Sequence, residues 1–285
     1  MTIQSEEVTR IKAEQLRNWD DSAAGWSKFF DKFERGAQCV SDRLVELAKI
    51  QPGQRVLDVA TGIGEPAVTA ARRVGPNGKV VATDHSGQMI NLARERASTM
   101  GASNVEFLEM DAEALKFPEK SFDAIVCRWG LMFLPDLAGA LERMRPLLVA
   151  GGRLAASVWA DGPKVPMIGL VLAACRQFEL PRPPAGSLGP LSLADIDALK
   201  RTMEQAGFAE VGSEPLTVTF EFDSGEEYAR FQQRIQNPTT KLIGAQPADA
   251  QARIWQAVAA STQPYIGADG IVRLPNECVC VVARR

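Results

Sequence analysis

Five short runs rich in β-branched residues recur between Arg55 and Val158: RVLDVA, KVVATD, NVEFLEM, FDAIVC and GRLAASV. Helical patterns separate them, over Ala67 to Val74, Gln88 to Met100 and Asp136 to Leu148. Strands that alternate with helices cannot pair as hairpins, so the rhythm predicts βαβ units and a parallel sheet covered by helices. The first run also leads within a few residues into a loop carrying Gly62 and Gly64, where the absence of Cβ atoms lets the backbone turn tightly and lie against a ligand. Pro66 suits the first turn of the helix that follows, whose free N–H groups face whatever is bound.

The remaining chain is read around that core. At 285 residues there is room for one enlarged domain. Residues 1–50 read as two or three cover helices, with Ser41 as the N-cap of the last and Pro52-Gly53 ending it. Residues 51–160 carry the βαβ rhythm and read as the core that would hold a ligand at its glycine loop. Residues 161–191, broken by Gly162-Pro163, Pro166, Pro181, Pro183-Pro184 and Gly189-Pro190, read as a lid with a short helix at its centre. Residues 192–285 complete the sheet. Within them Ser192 and Asp195 make a capping box, Ile196, Leu199 and Met203 form a buried stripe, and Gly207 supplies the stop. An alternating strand from Leu216 to Phe222, a helical excursion over 225–262 and a closing strand near Cys278 to Val282 follow.

Composition narrows the function. A net charge of −3 and a pI near 5.5 lack the basic footprint of a nucleic-acid binder. The charged first twenty residues do not read as a signal peptide, and the most apolar stretch, Val165 to Cys175, is far shorter than the roughly 20 residues a membrane span needs. A cytoplasmic protein without stable membrane insertion is expected. Five cysteines form no CxxC, and with one histidine no zinc site of usual spacing can be assembled, so reduced thiols and no metal are expected. Cys278 and Cys280 should share the buried face of their strand.

The loop itself leaves two ligands open. Gly62-x-Gly64-x-x-Ala67 matches a dinucleotide fingerprint, and Asp84 ends the second strand where a ribose-binding carboxylate belongs, which suits NAD or any other adenosine ligand. Three features favour the second class. Asp58 lies inside the first strand, where dinucleotide folds carry an apolar residue, and a carboxylate there can organise hydrogen bonds to an ammonium group. Asp111 follows the third strand, so Asp58, Asp84 and Asp111 stand at or near the carboxyl ends of successive strands, where open α/β sheets bind ligands. Neither Tyr228 nor Tyr265 lies in a Tyr-x-x-x-Lys arrangement, which removes the usual acid/base group for hydride transfer.

With these residues in place, the chain resembles the class I S-adenosylmethionine-dependent methyltransferases, in the branch of the ubiquinone/menaquinone and other small-molecule enzymes. VLDVATGIGEPA, KVVATDHSGQMI, EMDAEAL, and FDAIVCRWGLMFLPD followed by PLLVAGGRL resemble that family's ordered motifs over about residues 51–158. The resemblance implies a Rossmann-like α/β fold, a seven-stranded sheet of order 3-2-1-4-5-7-6 with the last strand antiparallel. It implies S-adenosylmethionine as methyl donor and S-adenosylhomocysteine as product. Ala60, Gly62 and Gly64 would then present backbone to the methionine end, with Asp58 behind them. Asp84 would bind the ribose hydroxyls, with His85 beside it as a cofactor-side neighbour rather than a general base. Met89 would pack near the adenine, Asp111 and the Ala112 backbone would read its edge, and Arg128 would offer mainly main-chain contacts. Ala60 replaces a common Gly, a change tolerated if its φ is negative.

On the substrate side, Trp19 and Trp26 lie in a segment that looks like the branch's cover helix, and Trp129, Met132 and Phe133 follow the fourth strand. They suit an apolar or aromatic small molecule, although each can equally serve core packing. No residue is assigned as catalytic, because transfer from a sulfonium requires in-line alignment rather than a covalent intermediate. The alternatives are a nicotinamide-dependent oxidoreductase and a binding module that holds the cofactor without turnover. The substrate and the oligomeric state are not legible.

Overall fold

The computed structural model describes residues 2–181, 187–235 and 238–285. Seven strands form one sheet: β1 (Arg55–Val59), β2 (Lys79–Asp84), β3 (Val105–Glu109), β4 (Phe122–Arg128), β5 (Leu148–Trp159), β6 (Ala209–Phe222) and β7 (Val272–Arg284). Their order is β3-β2-β1-β4-β5-β7-β6, as expected from the family resemblance. Strands β1 to β5 run parallel, and β7 is antiparallel to both β5 and β6. The central strands are apolar on both faces, with Val56, Leu57, Val59, Ala124, Ile125 and Val126 fully buried, which is the signature of a sheet covered on both sides.

Helices α2 (Ala67–Val74), α3 (Gly87–Thr99) and α4 (Leu137–Met144) cross between strands, close to their expected positions. The short helix expected within residues 161–191 is α5 (Pro166–Gln177), and Pro183-Pro184 of that segment lie outside the described residues. Helix α6 (Ile196–Gln205) precedes β6, and the excursion over 225–262 consists of α7 (Gly225–Arg234), α8 (Pro238–Gly244) and α9 (Ala248–Ala260). Cys278 and Cys280 are both fully buried, on the same face of β7.

Two local expectations are corrected. The N-terminal segment is a single helix, α1 (Thr2–Leu47), rather than two or three. No proline interrupts it, and its interior glycines serve close packing. A Cβ on Gly36 would stand 2.5 Å from the Thr219 carbonyl of β6, and one on Gly25 would strike the Arg234 carbonyl of α7. Ser41 is therefore no N-cap but a buried mid-helix residue. Likewise, the N-cap of α6 is Asp195, whose Oδ1 accepts from the Ala198 N–H at 2.9 Å. The Ser192 hydroxyl instead donates to the Met132 carbonyl at 2.7 Å, tying this segment to the turn after β4.

Candidate functional site

The site begins where β1 ends. The Thr61 N–H donates to the Thr83 carbonyl of β2 at 2.9 Å, and the Gly62 N–H donates to Asp84 Oδ2 at 2.8 Å. The other oxygen of Asp84 accepts from the Ser86 N–H at 2.9 Å. One carboxylate thus fixes both the glycine loop and the entry to α3. Burial pushes the Asp84 carboxyl up, against the pull of these two amides. The reversal from strand to loop requires a left-handed residue, and Ala60 supplies it with φ +57°. The expectation of a negative φ at Ala60 is therefore overturned, because the bonds from Thr61 and Gly62 hold the turn in a conformation that alanine adopts only under strain. Trp129, the residue after β4, is also left-handed, at φ +56°.

Asp58 sits in the floor beneath this loop, paired in register with Ala82 of β2 and Val126 of β4. It is fully buried, and neither carboxylate oxygen has a hydrogen-bond partner; the buried Thr61 hydroxyl is likewise unpartnered. Burial raises its carboxyl to about 8, above the opposing pull of Thr61 and of the Arg128 charge. Arg128 does not neutralise Asp58 by direct contact, because its side chain turns to α1. Its two terminal nitrogens donate to the Glu34 oxygens at 2.7 Å each, and Nη1 also reaches Ser41 Oγ at 2.8 Å. The resemblance implied mainly main-chain contacts for Arg128; its guanidinium in addition anchors α1 to the end of β4. Nearby, Glu65 is enclosed and bonds Arg96 at 2.9 Å and the Thr69 hydroxyl at 2.7 Å.

The other end of the site lies under the first half of α1. Lys12 Nζ bridges Asp111 Oδ2 at 2.7 Å and Glu113 Oε2 at 2.5 Å, and Asp111 Oδ1 accepts from the Glu113 N–H at 2.8 Å. Burial works to raise the Asp111 carboxyl, but Lys12 and that amide outweigh it and hold it below the usual range. The Ser86 hydroxyl lies 2.5 Å from Asp20 Oδ1 of α1 and accepts from the Met89 N–H at 3.1 Å, capping α3. Met89 is buried with Ala23, Phe30 and Ile63, and Trp19, Trp26 and Leu92 pack on that cluster. Ala112 is buried beside Asp111, and His85, next to Asp84, is half-buried.

Aromatic rings line the flank between α1 and the ends of β4 and β5. Trp19 meets Phe133 edge-on at 5.0 Å, Trp26 meets Phe33 at 5.0 Å, and Phe33 meets Trp129 at 5.7 Å. Trp129 stacks on Trp159 at 4.4 Å. The indole N–H groups of Trp26 and Trp129 are buried without partners. Met132, expected on the substrate side, is fully enclosed in the main core, as are Phe33 and Trp159, whereas Trp19, Trp26, Trp129 and Phe133 are only partly buried.

The structure therefore gathers Asp58, Ala60, Gly62, Gly64, Asp84, His85, Met89, Asp111 and Ala112 along the carboxyl ends of β1 to β3, with Arg128 and the tryptophans beside them. Lys12, Asp20, Glu34, Phe33 and Trp159 join the site although no motif marks them. For the four on α1 the only sequence signal is helical spacing, which does not say what its charged residues face, while Trp159 simply ends the β5 run. Among the described residues no cluster of His, Cys, Asp and Glu could hold a metal ion, and no helix is long and apolar enough to cross a membrane.

Residues 56–152 match the family described as methyltransferase domain. The ubiquinone/menaquinone biosynthesis C-methyltransferase UbiE of Pseudomonas fluorescens (strain SBW25) is 40% identical over 111 residues, covering 39% of this chain and 43% of the relative. Aklanonic acid methyltransferase DauC of Streptomyces sp. (strain C5) is 41% identical over 113 residues, covering 40% of this chain and 51% of the relative. The matched region thus spans about half the length of these curated relatives. Among solved structures, the [4+2]-cyclase SpnF superposes with a TM-score of 0.54 and 21% identity, over 87% of this chain and 81% of that one. The matched segment is the part that builds the glycine loop and the three aspartates.

Proposed function

We propose that this methyltransferase-domain chain binds S-adenosylmethionine across the carboxyl ends of β1 to β3 and transfers its methyl group to a small apolar or aromatic molecule. The observation that carries the reading is the unpartnered Asp58 carboxyl beside the unpartnered Thr61 hydroxyl, a buried acceptor pair that fits the ammonium of an amino-acid moiety. Asp84 would take the ribose hydroxyls, and Asp111 with the Ala112 backbone the adenine edge. Met89 and Ile63 offer the apolar surface for its ring.

When bound, the cofactor supplies a methyl group on a sulfonium. The chain's own contribution is alignment and exclusion of water. Alignment of reacting groups can lower a barrier by roughly 7–11 kcal/mol. The partly buried rings of Trp19, Trp26, Trp129 and Phe133, backed by the enclosed Phe33 and Trp159, form the surface on which an apolar acceptor would lie. Glu34, next to Phe33 on α1, is committed to Arg128, so an acceptor that is already nucleophilic suits this site best. The names of UbiE and DauC, a ubiquinone/menaquinone biosynthesis C-methyltransferase and an aklanonic acid methyltransferase, support a small-molecule acceptor. A nicotinamide reaction is disfavoured, because Tyr228 is enclosed with its hydroxyl on the Met167 carbonyl at 2.8 Å.

The test is incubation of the purified chain with methyl-labelled S-adenosylmethionine and a panel of quinol, phenol and polyketide acceptors. Label should pass to at least one acceptor in the wild type and be lost in Asp84→Asn. A second reading, suggested by the fold shared with a [4+2]-cyclase, keeps the cofactor without methyl transfer. Tight cofactor binding with no label transferred to any acceptor would favour it.

A further inference from the structure

Three carboxyl groups and two guanidinium groups are packed around the floor of the site. Glu34 of α1 holds Arg128 of β4, and Glu65 at the start of α2 holds Arg96 of α3. Asp58 of β1 is left over. The groups facing it are the Thr61 hydroxyl, the first N–H of α2 at Ala67, Arg128 and the Cys127 thiol from β4, and Glu65. Neither Thr61 nor Ala67 completes a hydrogen bond to it. Asp84 ends β2 on the other side of β1 from Cys127, and its own oxygens are taken by Gly62 and Ser86. An ionised Asp58 would therefore leave this buried cluster one positive charge short.

Resting on the cofactor assignment above, we infer that Glu34 is a positioning residue: by gripping Arg128 it keeps the guanidinium off Asp58, which carries a proton until the cofactor's ammonium arrives and displaces it. The geometry explains the division of labour. Arg128 is buried with its side chain 6% exposed, and Glu34 takes both terminal nitrogens in a bidentate pair, the strongest arrangement open to a guanidinium. Ser41 and the Ala37 carbonyl accept further bonds from Nη1 on the same helix. Without Glu34, the nearest unpaired carboxyl for Arg128 is Asp58, and a guanidinium there would occupy the position meant for the ligand. Burial keeps Asp58 protonated near neutral pH, so its ionisation is linked to ligand binding. Proton balance is simple: the carboxyl O–H proton leaves to buffer, and the carboxylate pairs with the ammonium.

The experiment is calorimetric titration of the whole chain with S-adenosylhomocysteine in buffers of different ionisation enthalpy, repeated at several pH values. In the wild type, up to about one proton should be released per ligand bound near pH 7, and affinity should rise up to about tenfold per pH unit below 8. In Glu34→Gln the freed guanidinium should hold Asp58 ionised, so affinity falls and both proton release and pH slope flatten. The double variant Glu34→Gln/Arg128→Met removes the intruding charge and should restore the slope, which loosening of α1 alone would not do. It also avoids a buried arginine without its partner, should the single variant unfold. Binding by the wild type with no proton release, or a double variant whose slope stays flat, overturns the inference and leaves the cofactor assignment standing. No binding of S-adenosylhomocysteine at all overturns both.

Discussion

Gly130 lies directly against Ala60: a Cβ built on Gly130 would stand 2.6 Å from the Ala60 Cβ and 2.8 Å from Cys127 Sγ. The ends of β1 and β4 meet at this contact, each having just passed through a left-handed residue, Ala60 or Trp129. Gly130→Ala should destabilise the fold by about 1–3 kcal/mol through overpacking. Ala60→Gly should be at least as stable as the wild type, since relief of about 1–2 kcal/mol of left-handed strain offsets the added freedom of the unfolded chain. The double variant should recover part of the loss, because only the Cys127 contact remains. Urea unfolding of the four proteins checks this; strictly additive effects would show that the two Cβ positions do not compete.

Lys12 occupies the carboxylate that is assigned to the adenine edge. Lys12→Met removes the ammonium from both Asp111 and Glu113 while keeping an apolar stem on α1. Affinity for S-adenosylhomocysteine should rise severalfold if Lys12 competes with the adenine amino group. Titration of the variant decides it, and weaker binding would mean that Lys12 helps to hold the ligand instead.

Asp58 leaves a mark on stability even without ligand. Its folded-state carboxyl titrates at about 8, above the ordinary 3.8, so between those values the folded chain holds a proton that the unfolded chain has released. Stability should therefore decline as pH rises from about 4 to 8, through this group alone. Asp58→Asn has no such proton. It should be more stable than the wild type at pH 8, with the difference shrinking toward pH 4. Chemical denaturation at both pH values measures it, and a constant difference would contradict the raised value.

Much of this was legible in the residues, for reasons that differ by element. The apolar runs of β1, β2 and β4 and the glycine loop are short-range patterns, so the core and its three aspartates could be placed from sequence. The strand order came from family resemblance, not from periodicity. The continuity of α1 was hidden because Ser41 has the chemistry of an N-cap, while in the fold it is a buried mid-helix residue that accepts from Arg128. The φ of Ala60 was hidden as well, being imposed by bonds from Thr61 and Gly62 to another strand. Lys12 and Glu34 meet partners 99 and 94 residues away, a separation that no local spacing encodes.

The enclosed pair Glu65–Arg96 should be structural. Glu65 has no exposed side-chain surface and bonds Arg96 and Thr69, so Glu65→Gln leaves the guanidinium with a weaker partner. Complete loss of one partner in a buried pair costs roughly 3–5 kcal/mol, and the amide should fall at or below that range. Thermal unfolding checks the size, and an unchanged midpoint would mean that the pair contributes nothing.

The most direct measurement is calorimetric titration of the wild-type chain with S-adenosylhomocysteine and, separately, with NAD, followed by Asp111→Ala. Micromolar binding of S-adenosylhomocysteine without binding of NAD is expected, weakened severalfold by the substitution. Binding of NAD alone, or of neither, would contradict a cofactor site built on Asp58, Asp84 and Asp111.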